Sequence, residues 1–321
     1  MNDTFHQNYV SLATHAAYYN LSESRSRILV TGSEALTWLH ALVSNDLRKM
    51  DDQPRVARFA FFLDSTAHVL AEMRIFMVTS EQFTGQEGLL IDTAAVNGSS
   101  LLRLLDRYII TEDVKLQDVS SQTACIAIQG PNCLEYCDEA DWWHCDLTGF
   151  GGSVLMLSSP EHRDEWLISH HNLPCASDET WGTARIECGL PQWDLELTPQ
   201  ILAAEADPRR EFYSVTKGCY PGQEILARID SRGHTNRQLF VLTAEPGTPI
   251  VPGTEVYLSG KRDRPIGAFC SCSGCSPACN CSAIGLAFLR TAEVSQDDTL
   301  FTSAGIPLTV TDQPRRRCIS Y

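Results

Sequence analysis

The C-terminal third of the sequence carries the pattern that most restricts the fold. After residue 236, apolar and polar residues alternate in short segments separated by Gly, Pro and Asp, and no stretch of helical period is left. Several short alternating strands in succession are typical of a small antiparallel barrel or sandwich. The sequence therefore predicts a boundary at 235/236, followed by strands at 239–243, 255–258, 266–272, 283–289, 300–302 and 308–311.

Residues 1–235 instead mix helical and strand periodicities. The segments with strand character are 27–31, 59–63, 69–78, 124–129 and a hairpin formed by 154–157 with 166–169. The segments with apolar residues at helical spacing are 35–43, 101–108 and 180–188. Helices and strands before residue 236, followed by strands alone, are expected of the α+β class. The length of 321 residues favours two or three packed units.

Composition and charge narrow the function classes. With 43% hydrophobic and 20% charged residues, the chain has the composition of an ordinary soluble globular protein, and no apolar run approaches the roughly 20 residues of a membrane helix. The net charge of −15 argues against direct nucleic-acid binding, and we interpret the basic run 315–317 as a solvated terminus. Because no targeting segment is recognisable at the N-terminus, we expect a cytoplasmic protein whose thirteen cysteines are thiols or metal ligands.

Segment 217–224, Lys-Gly-Cys-Tyr-Pro-Gly-Gln-Glu, is the strongest chemical signal. Pro221 suits the first position of a helix, so Cys219 would lie just before a helix N-terminus, where exposed N–H groups favour an anion. Lys217 lies two residues away and would also favour the thiolate. These features predict Cys219 and Lys217 as the catalytic pair. The alternative is a buried structural cysteine in a tight turn.

The same segment resembles the signature of the YgfZ family, which includes related mitochondrial iron–sulfur assembly factors. Segments 31–46, 184–191 and 284–290 resemble the opening motif, the Arg-x-Glu-x-Gly motif and the last barrel strand of the glycine-cleavage T-protein (aminomethyltransferase) superfamily. The resemblance covers about residues 20–312. It implies a T-protein-like ring of two mixed α/β units within 1–235, and a C-terminal antiparallel β-barrel at 236–321, around a folate-sized hole.

The resemblance also implies roles for single residues. Glu187 matches the glutamate that binds the pterin ring of tetrahydrofolate, and a carboxylate suits the two donors of that ring edge; alternatively it is a helix-surface acid paired with Arg185. Arg185 and Glu196 are further candidates for the ligand pocket. Glu72 falls where aminomethyltransferases keep a catalytic aspartate, and the longer acid argues against classical aminomethyl transfer. Arg228 would meet the tail of a polyglutamyl folate, or is a solvated cation near a helix end.

Five cysteines between 270 and 281 lie outside the motifs of this resemblance. Because side chains two residues apart share a face of a strand, a hairpin could direct several of these sulfurs at one point, as a zinc or iron–sulfur site requires. Otherwise they act as small hydrophobic residues. The predicted metal ligands are Cys270, Cys272, Cys275, Cys279 and Cys281.

Three functions remain open at this stage. The first is a folate-binding accessory factor that supports iron–sulfur cluster assembly or repair, including that of tRNA-modifying enzymes. Its partners would be folate and iron–sulfur enzymes or assembly proteins. The second is a tetrahydrofolate-dependent aminomethyl or methyl transferase. The third is a metal- or cluster-binding module built on the cysteine hairpin.

Overall fold

The computed structural model describes residues 3–79, 85–137, 142–233, 235–259, 263–294 and 299–311, so the basic run 315–317 lies outside the described residues. The helices are α1 Asp3–Thr14, α2 Ala35–Leu42, α3 Gly98–Asp106, α4 Pro160–Ser169, α5 Asp178–Glu187, α6 Ala203–Ala206 and α7 Gln223–Arg232. No helix within these ranges is long and apolar enough to cross a membrane.

Strands fill two antiparallel sheets and one barrel. The strands are β1 Ala17–Asn20, β2 Arg25–Thr31, β3 Arg58–Leu63, β4 Val69–Val78, β5 Gly88–Ala94, β6 Lys115–Asp118, β7 Ala124–Gln129, β8 Trp142–His144, β9 Gly152–Leu157, β10 Arg237–Pro246, β11 Glu255–Leu258, β12 Gly267–Ser276, β13 Ser282–Arg290, β14 Leu300–Thr302 and β15 Pro307–Thr311. The first sheet has the order β3-β4-β5-β2-β6 and the second the order β1-β7-β9-β8. The barrel closes in the order β10-β13-β12-β11-β14-β15.

One hydrophobic core joins the three parts. Phe76 from the first sheet, Trp143 from the second and Leu286 from the barrel belong to the same cluster of buried side chains. The barrel has its own interior as well, in which Val256 and Leu289 are buried. Strand β13 contributes to both clusters, which explains why its sequence is almost continuously apolar rather than alternating. This arrangement confirms the predicted α+β class with a C-terminal antiparallel barrel.

The hairpin predicted from 154–157 and 166–169 is wrong in its second half. Residues 166–169 belong to helix α4, not to a strand. Ser159 caps this helix by accepting a hydrogen bond from the His162 N–H, and Pro160 occupies its first turn. Both are standard signals of a helix start, and here they outweigh the short apolar run that follows.

Candidate functional site: a central cavity and a separate cysteine loop

A cavity of about 470 Å³ lies where the two N-terminal sheets meet helix α5. This volume is within the range typical of small-molecule and cofactor sites, roughly 300–1,000 Å³. Its charged and polar lining residues are Ser24, Arg25, Glu72, Arg74, Asp178, Arg185, Gln192 and Asp194, and its aromatic ones are Tyr19, Phe59, Trp181, Trp193 and Phe212. The arginines and the acids are equal in number, so the lining carries no large net charge.

One wall of the cavity is an ion-pair network. Arg25 donates from its two terminal nitrogens to the two carboxylate oxygens of Glu72, at 2.5 and 2.9 Å, and from Nε to Asp92, at 2.6 Å. Arg74 binds the same oxygen of Asp92, at 2.6 and 2.9 Å. Burial opposes the ionisation of Asp92, but the two arginines hold its pKa below the ordinary value. The network therefore keeps Asp92 as a carboxylate whose charge is compensated by two arginines.

Glu72 thus lines the cavity, as an acid there would have to, but both of its carboxylate oxygens already accept hydrogen bonds from the protein. Besides Arg25, the backbone N–H of Ala94 donates to its Oε1 at 3.1 Å. A carboxylate that accepts three hydrogen bonds and faces a guanidinium is a weak general base, because proton transfer would break these contacts. The geometry fits a structural and electrostatic role for Glu72 better than acid–base chemistry.

Another part of the cavity lining is aromatic. Tyr19 and Trp181 stack at 4.5 Å between ring centroids, with an angle of 7° between their planes. The Tyr19 hydroxyl donates to Asp178 Oδ1 at 2.8 Å. Burial and this hydrogen bond raise the pKa of Tyr19 to about 12, so it remains a phenol at neutral pH. A flat, rigid pair of this kind is suited to contact a planar ring of a ligand.

Arg185 connects the cavity to the barrel. It is 5% exposed, and its terminal nitrogens donate to Glu196 at 2.9 Å, to the Leu190 carbonyl at 2.7 Å and to the Ser271 hydroxyl at 2.7 Å. Its Nε–H has no acceptor among the described residues. The structure therefore brings Arg185 to the cavity wall and places Glu196 behind it as a fully buried counter-ion.

Glu187 does not line this cavity. Residues two apart on a helix point to nearly opposite sides, so Glu187 faces away from the side of α5 that carries Arg185. Its carboxylate accepts hydrogen bonds from the Tyr9 hydroxyl at 2.6 Å, the Ser276 hydroxyl at 2.6 Å and the Ala278 N–H at 3.3 Å. These contacts fasten α1 and the β12–β13 turn to α5. Direct contact between Glu187 and a ligand in the cavity would require these bonds to break.

The Lys-Gly-Cys segment forms a loop away from the cavity. Lys217 is 4% exposed, and its Nζ donates to the backbone carbonyls of His40, Val43 and Asn45 at the C-terminal end of α2. Burial lowers its pKa to about 8. The ammonium group therefore satisfies carbonyls that the helix end leaves unpaired. Lys217 holds the loop in place, while Cys219 is exposed.

The helix after this loop begins later than the sequence indicated. Helix α7 starts at Gln223, not at Pro221, and Gly222 precedes it with φ +81°. A Cβ at position 222 would meet the Asp64 carbonyl oxygen at 2.8 Å and the Ala67 Cα at 2.9 Å. Glycine is required both by the positive φ and by this close approach. The loop is thus fixed at two points, by Lys217 on α2 and by Gly222 on the β3–β4 turn.

Arg228 lies on α7 outside the cavity. It pairs with Glu224 at 2.9 Å on an exposed helix surface. Such an i,i+4 pair contributes little to stability and leaves the guanidinium accessible. The structure does not bring Arg228 to the cavity lining, so a contact with the tail of a folate stays a prediction.

The predicted metal site does not form among the described residues. No group of three or more His, Cys, Asp and Glu side chains there could hold a metal ion. Cys270 is an extra residue in a β-bulge, because Phe269 pairs with Ala287 and Ser271 with Leu286. The bulge reverses the alternation of faces, so Cys270 packs against the shared core and Cys272 against the barrel interior.

The remaining cysteines of the segment also do not bring their sulfurs together at the predicted metal site. Cys279 lies in a 3₁₀ turn, Pro277–Cys279, and Cys281 precedes β13, so neither lies on the partner strand as predicted. Burial raises the pKa of Cys270 to about 11 and that of Cys272 to about 12, which disfavours the thiolates that metals need. The prediction of a metal site at these cysteines is therefore corrected. Their side chains do not converge on one point, and the raised pKa values of Cys270 and Cys272 disfavour metal binding.

Sequence reasoning missed Tyr19, Trp181 and Asp178 as parts of the cavity. A signal for two of them was available, because Asp178, Trp181 and Arg185 follow the i, i+3, i+7 spacing of one helix face. Tyr19 carries no such signal. It lies on β1, and only the packing of the second sheet against α5 brings it to Trp181.

The comparisons with known proteins agree with this architecture. Residues 1–144 match the GCVT N-terminal domain. The chain is 26% identical over 282 residues to an aminomethyltransferase of Halalkalibacterium halodurans, covering 78% of this chain and 74% of that protein. It is 24% identical over 237 residues to the tRNA-modifying protein YgfZ of Hamiltonella defensa, covering 68% and 67%. Aminomethyltransferase T of the glycine cleavage system from Bartonella henselae has the same fold, with a TM-score of 0.78, 17% identity and coverage of 98% and 90%.

Proposed function

The chain is a YgfZ-like member of the glycine-cleavage T-protein superfamily, and on that premise we propose that it is a folate-binding accessory factor that supports iron–sulfur proteins. The observation that carries this proposal is the Arg25–Glu72 ion pair in the central cavity. It leaves a site that is built to bind a ligand but in which Glu72, the acid at the position of the catalytic aspartate of aminomethyltransferases, is held by Arg25.

The cavity lining suits a reduced folate. The Tyr19–Trp181 stack offers a flat apolar surface for a planar ring. Arg185 offers an Nε–H without a protein acceptor, which suits a ring carbonyl or nitrogen once the ligand displaces the neighbouring side chains slightly. Glu187 supports this wall from behind by holding α5 in place. The pterin contact predicted for Glu187 is thus assigned in this proposal to the other side of the same helix.

Cys219 is proposed to act outside the cavity. It is exposed on a loop that Lys217 anchors to α2 and that approaches the β3–β4 turn closely at Gly222, an arrangement that suits a thiol that meets a partner protein. The proposed partners are iron–sulfur enzymes or their assembly proteins, among them enzymes that modify tRNA. This assignment is supported by the resemblance of segment 217–224 and by the YgfZ relatives.

Aminomethyl transfer is the second candidate, and similarity to aminomethyltransferases over most of the chain favours it. The Arg25–Glu72 pair argues against it. Supplying an aminomethyl-loaded carrier protein together with tetrahydrofolate separates the two candidates. We expect no turnover, whereas turnover near that of an authentic aminomethyltransferase would establish the second candidate.

Calorimetric titration with tetrahydrofolate tests the binding proposal. Trp181→Ala should weaken binding about 10-fold, since loss of a stacking partner costs roughly 0.5–1.5 kcal/mol beyond the buried area. Trp142→Ala is the matched control, because Trp142 contacts His144 and Arg55 and does not line the cavity. If wild-type protein does not bind reduced folate at all, the proposed ligand is wrong.

Recovery of iron–sulfur enzyme activity in cells that lack the protein tests the second half of the proposal. Wild type and Trp142→Ala should restore activity, and Cys219→Ser should not. Full recovery with Cys219→Ser would show that the exposed thiol is not needed.

A further inference from the structure

The turn between β12 and β13 holds a pair of thiols that the cavity and the Cys219 loop do not use. Cys275 is the penultimate residue of β12, and Cys281 immediately precedes β13. Ser276 and Ser282 pair directly across the hairpin, and the Cys281 N–H donates to the Ser276 carbonyl at 2.8 Å. The two cysteines therefore flank the residue pair that closes the turn.

Their side chains meet. The thiol of Cys275 interacts with that of Cys281, which places the two side chains close together. Burial, followed by this interaction, raises the pKa of Cys275 to about 12. Cys275 is thus a thiol that keeps its proton at neutral pH, so it is not the thiol that attacks first.

The backbone at Cys281 gives an independent indication. Asn280 and Cys281 both adopt left-handed conformations, with φ 54° and φ 60°. Asn tolerates this region and Gly prefers it, but a cysteine there is strained. The turn thus places a side chain with sulfur chemistry where glycine would be the more stable choice, and such outliers often accompany function.

We propose that Cys275 and Cys281 form a redox-active dithiol that a low-molecular-weight disulfide, such as oxidised glutathione, converts into a disulfide across the turn. This inference goes beyond the proposed function and does not depend on folate binding. Both cysteines are free thiols among the residues that the structure describes.

The exchange balances as two displacements. The Cys281 thiolate attacks one sulfur of oxidised glutathione, whose S–S bond breaks and releases one glutathione thiolate. Cys275 then gives its proton to a solvent base and attacks the sulfur of Cys281 in the mixed disulfide, which releases the second glutathione. Two protein thiols are oxidised and one glutathione disulfide is reduced to two thiols.

The turn that carries the two cysteines is hydrogen-bonded to helix α5. The Ser276 hydroxyl and the Ala278 N–H, both in this turn, donate to Glu187. A disulfide from residue 275 to residue 281 would enclose both donors in a short covalent loop. Oxidation would therefore restrain the contacts by which the turn holds the helix that carries Arg185.

Differential alkylation of the full-length protein tests the proposal. The protein is equilibrated with mixtures of oxidised and reduced glutathione, its thiols are blocked with light N-ethylmaleimide, and oxidised cysteines are then reduced and labelled with the heavy reagent. Tandem mass spectrometry locates the labels. We expect heavy label on Cys275 and Cys281 together, without bound glutathione before reduction. Cys270 and Cys272 are the matched controls, since they pack against different clusters, and they should stay light.

Single variants separate the proposed pair from other pairings. Cys281→Ser should leave Cys275 light, and Cys275→Ser should convert Cys281 into a glutathione adduct. Cys272→Ser should leave the heavy pair unchanged. The proposal is overturned if Cys275 stays heavy in Cys281→Ser, or if Cys279 pairs with either residue. It is also overturned if both stay light at a glutathione ratio that oxidises the exposed Cys219.

Discussion

Arg25 binds both carboxylate oxygens of Glu72, at 2.5 and 2.9 Å, on the wall of the central cavity. The guanidinium reaches Asp92 at the same time, at 2.6 Å, and Asp92 in turn is bound by Arg74. Two arginines and two acids thus compensate each other at the position where, by the T-protein resemblance, aminomethyltransferases keep a catalytic aspartate. The consequences for stability, binding and reactivity can be measured.

Arg25→Met should lower the free energy of unfolding by about 3–5 kcal/mol, because removal of one partner leaves a buried carboxylate uncompensated. Chemical denaturation of both proteins at pH 7 measures the difference. Arg48→Met is the control, since Arg48 is exposed and its pair with Asp46 should contribute at most about 1 kcal/mol. Equal losses for the two variants would mean that the network contributes no more than a surface ion pair.

Glu187→Gln should lower stability but not the affinity of the folded protein for tetrahydrofolate. Its carboxylate holds the Tyr9 hydroxyl and the β12–β13 turn, and weaker hydrogen bonds there should cost roughly 1.5–3 kcal/mol. Arg185→Met should instead weaken binding about 10- to 100-fold, because a ligand in the cavity would lose a charged donor. Calorimetry at a temperature where both variants remain folded separates the effects. A tenfold loss of affinity in Glu187→Gln would return Glu187 to the binding site.

The contribution of Lys217 to stability should depend on pH. Burial lowers its pKa from 10.5 to about 8, so between these values the unfolded chain binds more protons than the folded one. Stability attributable to this group therefore rises with pH from about 8 to 10.5, by at most about 1.4 kcal/mol per unit, and is constant below 8. The free energy of unfolding of wild type minus that of Lys217→Met, measured from pH 7 to 10, should follow this course. A difference that falls with pH would contradict it.

Cys219 should react with iodoacetamide at neutral pH much faster than Cys125 or Cys188, both of which are buried. Burial raises the pKa of Cys125 to about 12, which adds a chemical reason to the steric one. Cys175 is the informative control, because it is exposed as well. If Cys219 reacts no faster than Cys175 in time-resolved mass spectrometry, then the Lys217 loop exposes the thiol without activating it.

Segments with a strong local pattern were predicted well. The strand at 69–78, the helix at 180–188 and the alternating segments after residue 236 all appear close to their expected bounds, because periodicity reports directly which side of an element is buried. The error at 166–169 arose where a short apolar run was given more weight than the Ser159-Pro160 helix start that precedes it. That signal was present in the sequence and decided the structure.

The sequence by itself determined the run of short antiparallel strands after residue 236 and the identity of the segments that carry chemistry: 184–191, 217–224 and the cysteines after 270. Only the tertiary structure decided which atoms of those segments meet. A single β-bulge at Cys270 turned Cys270 and Cys272 to opposite sides, and a local sequence does not specify where a strand will bulge against its partner. In the same way, the middle of α1 and the end of β12 came together around Glu187, and the end of α2 came to Lys217. Such contacts join residues more than eighty positions apart, so packing of the whole chain, not local propensity, fixes the role of each charged group.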